Sequence, residues 1–285
     1  ISPGGGRGMS GIAWVNGEIG DLTHPWFGVL ERGVLYGDGV FETMRLIEGL
    51  PQDWDEHWRR LCQGCSVLKI HCSRDNVEAG VSEVAERIGN GVLRVTVSRG
   101  ESPRGLLPHP DSRPTVVVVG QDEDPYPSDL YERGIHACLI SFPRNPHSPL
   151  VRIKSLNCLE NILGRMEAAA AGAQEGLFCN IWGEVAEGTT SNVFFVIKER
   201  IVTPSLDCGL LAGIMRAKVI SLAKELGITV TEGMVLPSEF LRAEEAFLTN
   251  SLMGIMPLVS VDGRRVGKGV SGPVTDLLRR KLQFP

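Results

Sequence analysis

The stretch Gln121 to Arg133 (QDEDPYPSDLYER) does most to limit what this chain can become. It is acidic and broken by prolines, and it separates two longer blocks of periodic apolar sequence, so it is expected as a linker between two cores. The boundaries this sets are an N-terminal domain over 9–124, a linker over 125–133 and a C-terminal domain over 134–285. With 285 residues in all, each block is long enough to bury a core of its own. Residues 1–8 (ISPGGGRG) precede Met9 and read as a cloning remnant, set aside from the fold.

Within the blocks, strand-like and helix-like periods are mixed rather than strictly alternating. Ile12 to Val15 turns at Asn16-Gly17 into Glu18-Ile19, a hairpin signal. Gly33 to Glu42 is a Gly-rich turn entering a strand, and Trp58 to Leu68 has helical spacing. Leu93, Val95 and Val97 alternate with Arg94, Thr96 and Ser98, as in a half-buried strand. Val116 to Val119 is unbroken, as in a central strand. Beyond the linker, Ile135 to Ser141 and Val193 to Ile197 read as strands, and Phe247 to Thr249 begins another. Asn157 with Glu160 predicts a capping box opening a helix with Leu159, Ile162, Leu163 and Met166 on one face. Val219, Leu222, Ala223 and Leu226 mark a second helix, with Gly227 at C′. The order points to an α+β fold of two domains with mixed sheets and helices.

Several function classes fall away. A net charge of −5 does not suit a broad nucleic-acid surface. No apolar run approaches the roughly 18 residues of a spanning helix, so no membrane partner is expected. Gly37-Asp38-Gly39 lacks dinucleotide-loop spacing. The His residues are not clustered with carboxylates, so no metal site is expected. The seven cysteines (Cys62, Cys65, Cys72, Cys138, Cys158, Cys179, Cys208) are odd in number and scattered, which fits a reducing, cytoplasmic setting. Cys62 and Cys65 lie at helical spacing and read as packing residues.

Four segments carry candidate chemistry. In Arg152 to Asn157, Lys154 lies between an apolar residue and a helix start, where an amine can lose solvation and become nucleophilic. Glu187 precedes Gly188 and a run of small hydroxyl residues; it is either a functional carboxylate or a turn cap. Gly213, Ile214 and Met215 open a helix, whose free backbone N–H groups suit a phosphate. Asn250 and Ser251 end an apolar strand and offer polar donors.

Taken in order, with Arg32-Gly33 to Phe41-Glu42, His57 to Leu61 and Ser98 to Gly100, these segments resemble the fold-type IV pyridoxal-phosphate enzymes. That group holds branched-chain aminotransferases, D-amino-acid aminotransferases and aminodeoxychorismate lyases. The likeness runs from about Trp14 to Leu282. It implies the two-domain fold of D-amino-acid aminotransferases, pyridoxal 5'-phosphate as cofactor, a small-molecule substrate and a homodimer. It further implies that Lys154 forms the Schiff base with the cofactor and takes the substrate proton, and that Glu187 pairs with the pyridine nitrogen. Arg60, with Arg59 as the neighbouring alternative, would clamp the phosphate together with Gly213, Ile214, Met215, Asn250 and Ser251. Phe41 and Arg104 would face the substrate, whereas Arg45 and Arg99 read as partners in ion pairs.

The segments that face substrate are most similar to the lyases: Asn90 to Arg94, Arg99-Gly100 with Arg104-Gly105, Arg144 to His147, and Asn250 to Pro257. Leu106 stands where D-amino-acid aminotransferases carry a carboxylate-gripping His. The implied reaction is elimination of pyruvate from 4-amino-4-deoxychorismate to give 4-aminobenzoate for folate synthesis. An aminotransferase acting on D-amino acids or branched-chain amino acids is the alternative.

Overall fold

The computed structural model describes residues 11–24, 26–124 and 126–282, so the segment 1–8 lies outside the described residues. The chain forms two compact units: the first runs to Asp124 and also takes in Ile153–Asn157, and the second holds the remainder.

The first unit is built on an antiparallel sheet. Its elements in order are β1 (Ile12–Val15), β2 (Glu18–Asp21), α1 (Arg32–Tyr36), β3 (Gly39–Ile47), β4 (Leu50–Pro51), α2 (Trp54–Leu68), α3 (Arg74–Ile88), β5 (Gly91–Ser98) and β6 (Thr115–Gln121). The strand order is β2-β1-β6-β5-β3-β4. The β1–β2 hairpin turns where the sequence predicts, with Asn16 and Gly17 both at positive φ. Strand alternation sorts the side chains. Val40, Met44, Leu46, Leu93, Val95, Val97, Val116 and Val118 are buried against Leu61 and Cys65 of α2 and Val77, Val81 and Val84 of α3. Gly80 brings α3 close to Trp14, where a Cβ would stand 2.6 Å from the indole. Val117 and Val119 are only half-buried: β6 is central in the sheet, but this unit's helices cover one face.

The second unit carries a mixed sheet. Its elements are α4 (Ser128–Arg133), β7 (Ile135–Leu139), α5 (Leu159–Ala170), β8 (Glu175–Cys179), β9 (Val185–Gly188), β10 (Asn192–Ile197), β11 (Arg200–Pro204), α6 (Ile214–Glu225), β12 (Val230–Gly233), β13 (Glu245–Asn250), β14 (Gly254–Val261), β15 (Arg264–Arg265) and α7 (Pro273–Leu282). The order is β12-β11-β10-β13-β14-β7-β8-β9, with β15 on β14. The β11–β12, β14–β7 and β7–β8 pairs are parallel and the rest antiparallel. Strand β10 is covered on both faces, which explains its unbroken apolar run. Phe194 and Val196 pack on Val219, Ile220 and Ala223 of α6 and on Leu278 of α7. Val193 and Phe195 join the opposite cluster with Leu248, Met256 and Phe240. Phe194 stacks on Phe247, its partner in register, with centroids 4.9 Å apart. Helix α6 ends at Leu226, and Gly227 takes the positive φ that the C′ position favours.

Two expectations change. The stretch read as a linker contains α4, which is held because Tyr131 is buried and its hydroxyl donates to Met253 O at 3.0 Å. The capping box does not form: the N-cap of α5 is Cys158 with no side-chain cap, and Asn157 Nδ2 instead donates to Gly37 O at 2.9 Å. Helix α5 does carry Leu159, Ile162, Leu163 and Met166 on one face, and that face is the outward one. The helix packs through the small residues Gly164 and Ala168, which meet Phe178.

Candidate active site

Lys154 is fixed through its backbone. Phe41 N donates to Lys154 O at 2.9 Å, Leu156 N donates to Gly39 O at 2.9 Å, and Val40 opposes Ser155 as an antiparallel bridge. Residues 154–156 thus extend β3 as a short added strand, which explains why Ile153–Asn157 belongs to the first unit. Lys154 Nζ lies 4.5 Å from the centroid of the Phe41 ring, and Arg94 Cζ lies 3.8 Å from the same centroid. Two cations at one half-buried aromatic ring make a locally anion-attracting spot. Arg94 closes the segment Asn90 to Arg94, expected to face substrate, and the alternation of β5 places it on the face opposite the core.

On the other face of β3 stands Glu42, fully buried among Val40, Met44 and Leu46. Arg60 of α2 donates from Nε to Glu42 Oε1 at 2.8 Å and from Nη2 to Oε2 at 2.7 Å. His57 Nδ1 lies 2.6 Å from Oε2, and His57 Nε2 is buried without a partner. Arg59 points the other way: its side chain is 69% exposed and pairs with Glu56 at 2.9 Å, whereas that of Arg60 is 12% exposed.

Burial acts to raise the Glu42 pKa, but the hydrogen bonds from Arg60 and His57 outweigh it and hold the group down to about 2. A carboxyl depressed on folding stabilises the protein above its unfolded pKa and ceases to do so as pH falls through the folded value, an effect of roughly 3 kcal/mol. In urea titrations the stability gap between wild type and Glu42→Gln is expected to stay level from about pH 7 to about pH 5 and to narrow as pH falls from there towards the folded value of about 2. A constant gap would contradict the assignment of that acid limb to Glu42.

Arg104 is exposed on a loop pinned from behind. Arg32 donates to Gly105 O at 2.7 Å, to Leu106 O at 2.8 Å and to Asp38 at 2.8 Å. Asp38 also takes Arg99 at 2.7 Å, and Arg45 pairs with Asp124 at 3.2 Å, the ion-pair roles expected of those arginines.

In the second unit, Glu187 is buried at the end of β9. Its Oε2 accepts from Leu211 N at 3.0 Å, and its Oε1 is 3.5 Å from Arg144 Nη1. Arg144 lies over Phe178, its Cζ 4.2 Å from the ring centroid, and its Nε and Nη2 are buried without partners. The hydroxyl run after Glu187 caps a different carboxylate: Thr189, Thr190 and Ser191 all donate to Glu175. Nothing in the spacing of the sequence could pair Arg144 with Glu187, because the contact depends on the loop after β7 bridging to Asn180 beyond β8.

Gly213 is the N-cap of α6, so the first turn of that helix has no side-chain cap, and it has no acidic residue. A Cβ at Gly213 would overlap Asn192 Oδ1, and Asn192 Nδ2 in turn donates to Leu211 O at 3.0 Å. Thr249, paired with Asn192 in register, has its hydroxyl buried without a partner among the described residues. An open helix N-terminus beside an unsatisfied hydroxyl fits a phosphate. Asn250 is engaged within the protein: Oδ1 accepts from Leu252 N and Met253 N at 2.9 and 2.8 Å, and Nδ2 reaches Tyr126 Oη and Thr190 O. It shapes the turn that carries Ser251.

Comparison with known proteins agrees with this fold. A profile of amino-transferase class IV matches residues 39–261. A Methanocaldococcus jannaschii protein provisionally named a branched-chain-amino-acid aminotransferase is 34% identical over 95% of this chain and 94% of its own length. The aminodeoxychorismate lyase of Bacillus subtilis is 32% identical over 94% of this chain and 92% of its own. Among solved structures, the T.th. branched-chain amino acid aminotransferase with pyridoxamine 5'-phosphate superposes with a TM-score of 0.89 at 30% identity, covering 96% of this chain and 93% of that one. The 4-amino-4-deoxychorismate lyase of Pseudomonas aeruginosa gives 0.86 at 30% identity, covering 95% and 98%. The chain is a pyridoxal-phosphate-dependent enzyme of the fold-type IV class. It belongs to the class IV aminotransferase family, whose relatives divide among lyases and aminotransferases.

Proposed function

We propose that this enzyme is an aminodeoxychorismate lyase that releases pyruvate and forms 4-aminobenzoate, a step in folate synthesis. The observation that carries the reading is the Arg104-Gly105-Leu106 loop. Arg32 clamps its carbonyls, and an exposed Leu106 stands where a D-amino-acid aminotransferase would need an imidazole. The wording of Asn250 to Pro257, similar to that of the lyases, supports it.

Pyridoxal 5'-phosphate supplies an aldehyde that bonds to amines and a ring that takes up electron pairs. The residues that would hold it are Lys154 at the aldehyde, Glu187 at the ring nitrogen, and Arg60 with the backbone N–H groups of Ile214 and Met215, and Ser251, at the phosphate. Gly213 keeps that cradle open, and Asn250 sets its turn. Lys154 would be the base that takes the proton from the amine-bearing carbon of the substrate. Glu187, an acceptor held between Leu211 N and Arg144, would face the protonated ring nitrogen. Phe41, with Arg94 and Arg104, would receive the substrate and its carboxylates. The free thiols suit a reducing cytoplasm.

The test offers aminodeoxychorismate to the purified holoenzyme and follows pyruvate and aromatic amine. Equal formation of the two products is expected. Oxo-acid formation from D-alanine or a branched-chain amino acid with 2-oxoglutarate, with no pyruvate from aminodeoxychorismate, would replace this reading with an aminotransferase.

The outward face of α5 supports a homodimer. Leu159, Ile162, Leu163 and Met166 are exposed together, and covering each would contribute about 2 kcal/mol. Sedimentation should give a dimer for wild type and a monomer for Leu163→Glu. A wild type that sediments as a monomer would sink the dimer.

A further inference from the structure

We propose that Glu42 is the positioning residue of the phosphate clamp, presenting Arg60 to the cofactor phosphate from the rigid sheet. The inference rests on the reading of Arg60 given above. Glu42 is fully buried on the helix-facing side of β3, a position that otherwise carries only apolar residues. It meets Arg60 fork to fork, at 2.8 and 2.7 Å. Two parallel bonds along the Nε–Nη2 edge fix the plane and the roll of the guanidinium, and Nη1 lies on the other edge. Without them a side chain with four rotatable bonds would have to be ordered by the phosphate itself, at a cost in affinity. His57 then pins the carboxylate. Its Nδ1 is 2.6 Å from Glu42 Oε2, and its Nε2 has no partner, so Glu42 is what orients the ring among the described residues. Glu42 and His57 reach the cofactor only through Arg60.

A purely structural Glu42 would neutralise a buried arginine and change stability alone. The two roles separate when pyridoxal 5'-phosphate and pyridoxal, which lacks the phosphate, are titrated into enzyme stripped of cofactor. Binding is followed by absorbance, and folding is checked by thermal melting. Glu42→Gln is expected to bind the phosphorylated form about tenfold more weakly and pyridoxal with unchanged affinity. Arg60→Met should lose about a hundredfold on the phosphorylated form alone. If Glu42→Gln does not fold, Glu42→Asp, which keeps the charge but shortens the reach, and His57→Gln, which releases one tie, are expected to lose about threefold on the same ratio. A folded Glu42 variant with the wild-type ratio, beside an Arg60→Met that has lost it, overturns the proposal. A wild-type ratio in Arg60→Met would instead show that the phosphate is held elsewhere, and the proposal would fall with that reading.

Discussion

Lys154→Ala is expected to fold with near wild-type stability and to turn over at least about a thousandfold more slowly. The two halves of this result come from different atoms. The segment is attached to β3 by the backbone of residues 154 and 156, through bonds that any side chain leaves in place. The side chain adds a contact with the Phe41 ring, which is worth about 1 kcal/mol at most. Under the proposed function, removing the amine would remove both the anchor for the cofactor and the base for the substrate proton. Steady-state pyruvate release with a parallel thermal melt reads both. Activity within about tenfold of wild type would mean that another group moves the proton.

Glu187→Gln is expected to slow turnover by about a hundredfold or more and also to lower stability. Glutamine still accepts from Leu211 N, but it leaves the Arg144 guanidinium in a buried site without its charge partner. Breaking such a pair costs about 3 kcal/mol. Adding Arg144→Met to the variant should return most of the stability, because the uncompensated charge is gone and a thioether can lie on the Phe178 ring. It should return none of the rate if Glu187 is the carboxylate proposed for the ring nitrogen. Recovery of both together would mean that Glu187 serves the fold alone. The absorption spectrum of the bound cofactor gives an independent reading, since the spectrum of Glu187→Gln should differ from that of wild type.

Local rules were legible where a short segment decides its own shape. The Asn16-Gly17 hairpin, the alternation of β5 and the left-handed Gly227 after α6 follow from turn chemistry and period alone. For helix α5 the spacing reports that an apolar face exists without saying what it faces. Gly164 and Ala168 turn the helix inward on small residues, leaving the larger ones outside. Asn157 satisfies the sequence pattern of a cap, but Gly37 O, far away in the chain, takes its amide instead. The prolines of 121–133 hid α4, whose stability comes from the burial of Tyr131.

The candidate site divides in the same way. Lys154, Glu187, Gly213 and Ser251 could be proposed from the sequence because each stands in a motif of contiguous residues. The groups that hold them were not. Glu42 was visible as part of the motif at the start of β3, yet its alternation with Val40, Met44 and Leu46 already placed an acid inside an apolar layer. Such an acid requires a cation, and Arg60 provides it. Arg144 gave no such signal, because its partner is fixed only when β7 and β8 are side by side.

Borohydride reduction of the holoenzyme, followed by peptide mass mapping, tests the whole account most directly. The account predicts one cofactor adduct, on the peptide that contains Lys154. An adduct on Lys69, Lys198, Lys218, Lys224, Lys268 or Lys281 in its place, or no adduct on a yellow protein, would contradict it.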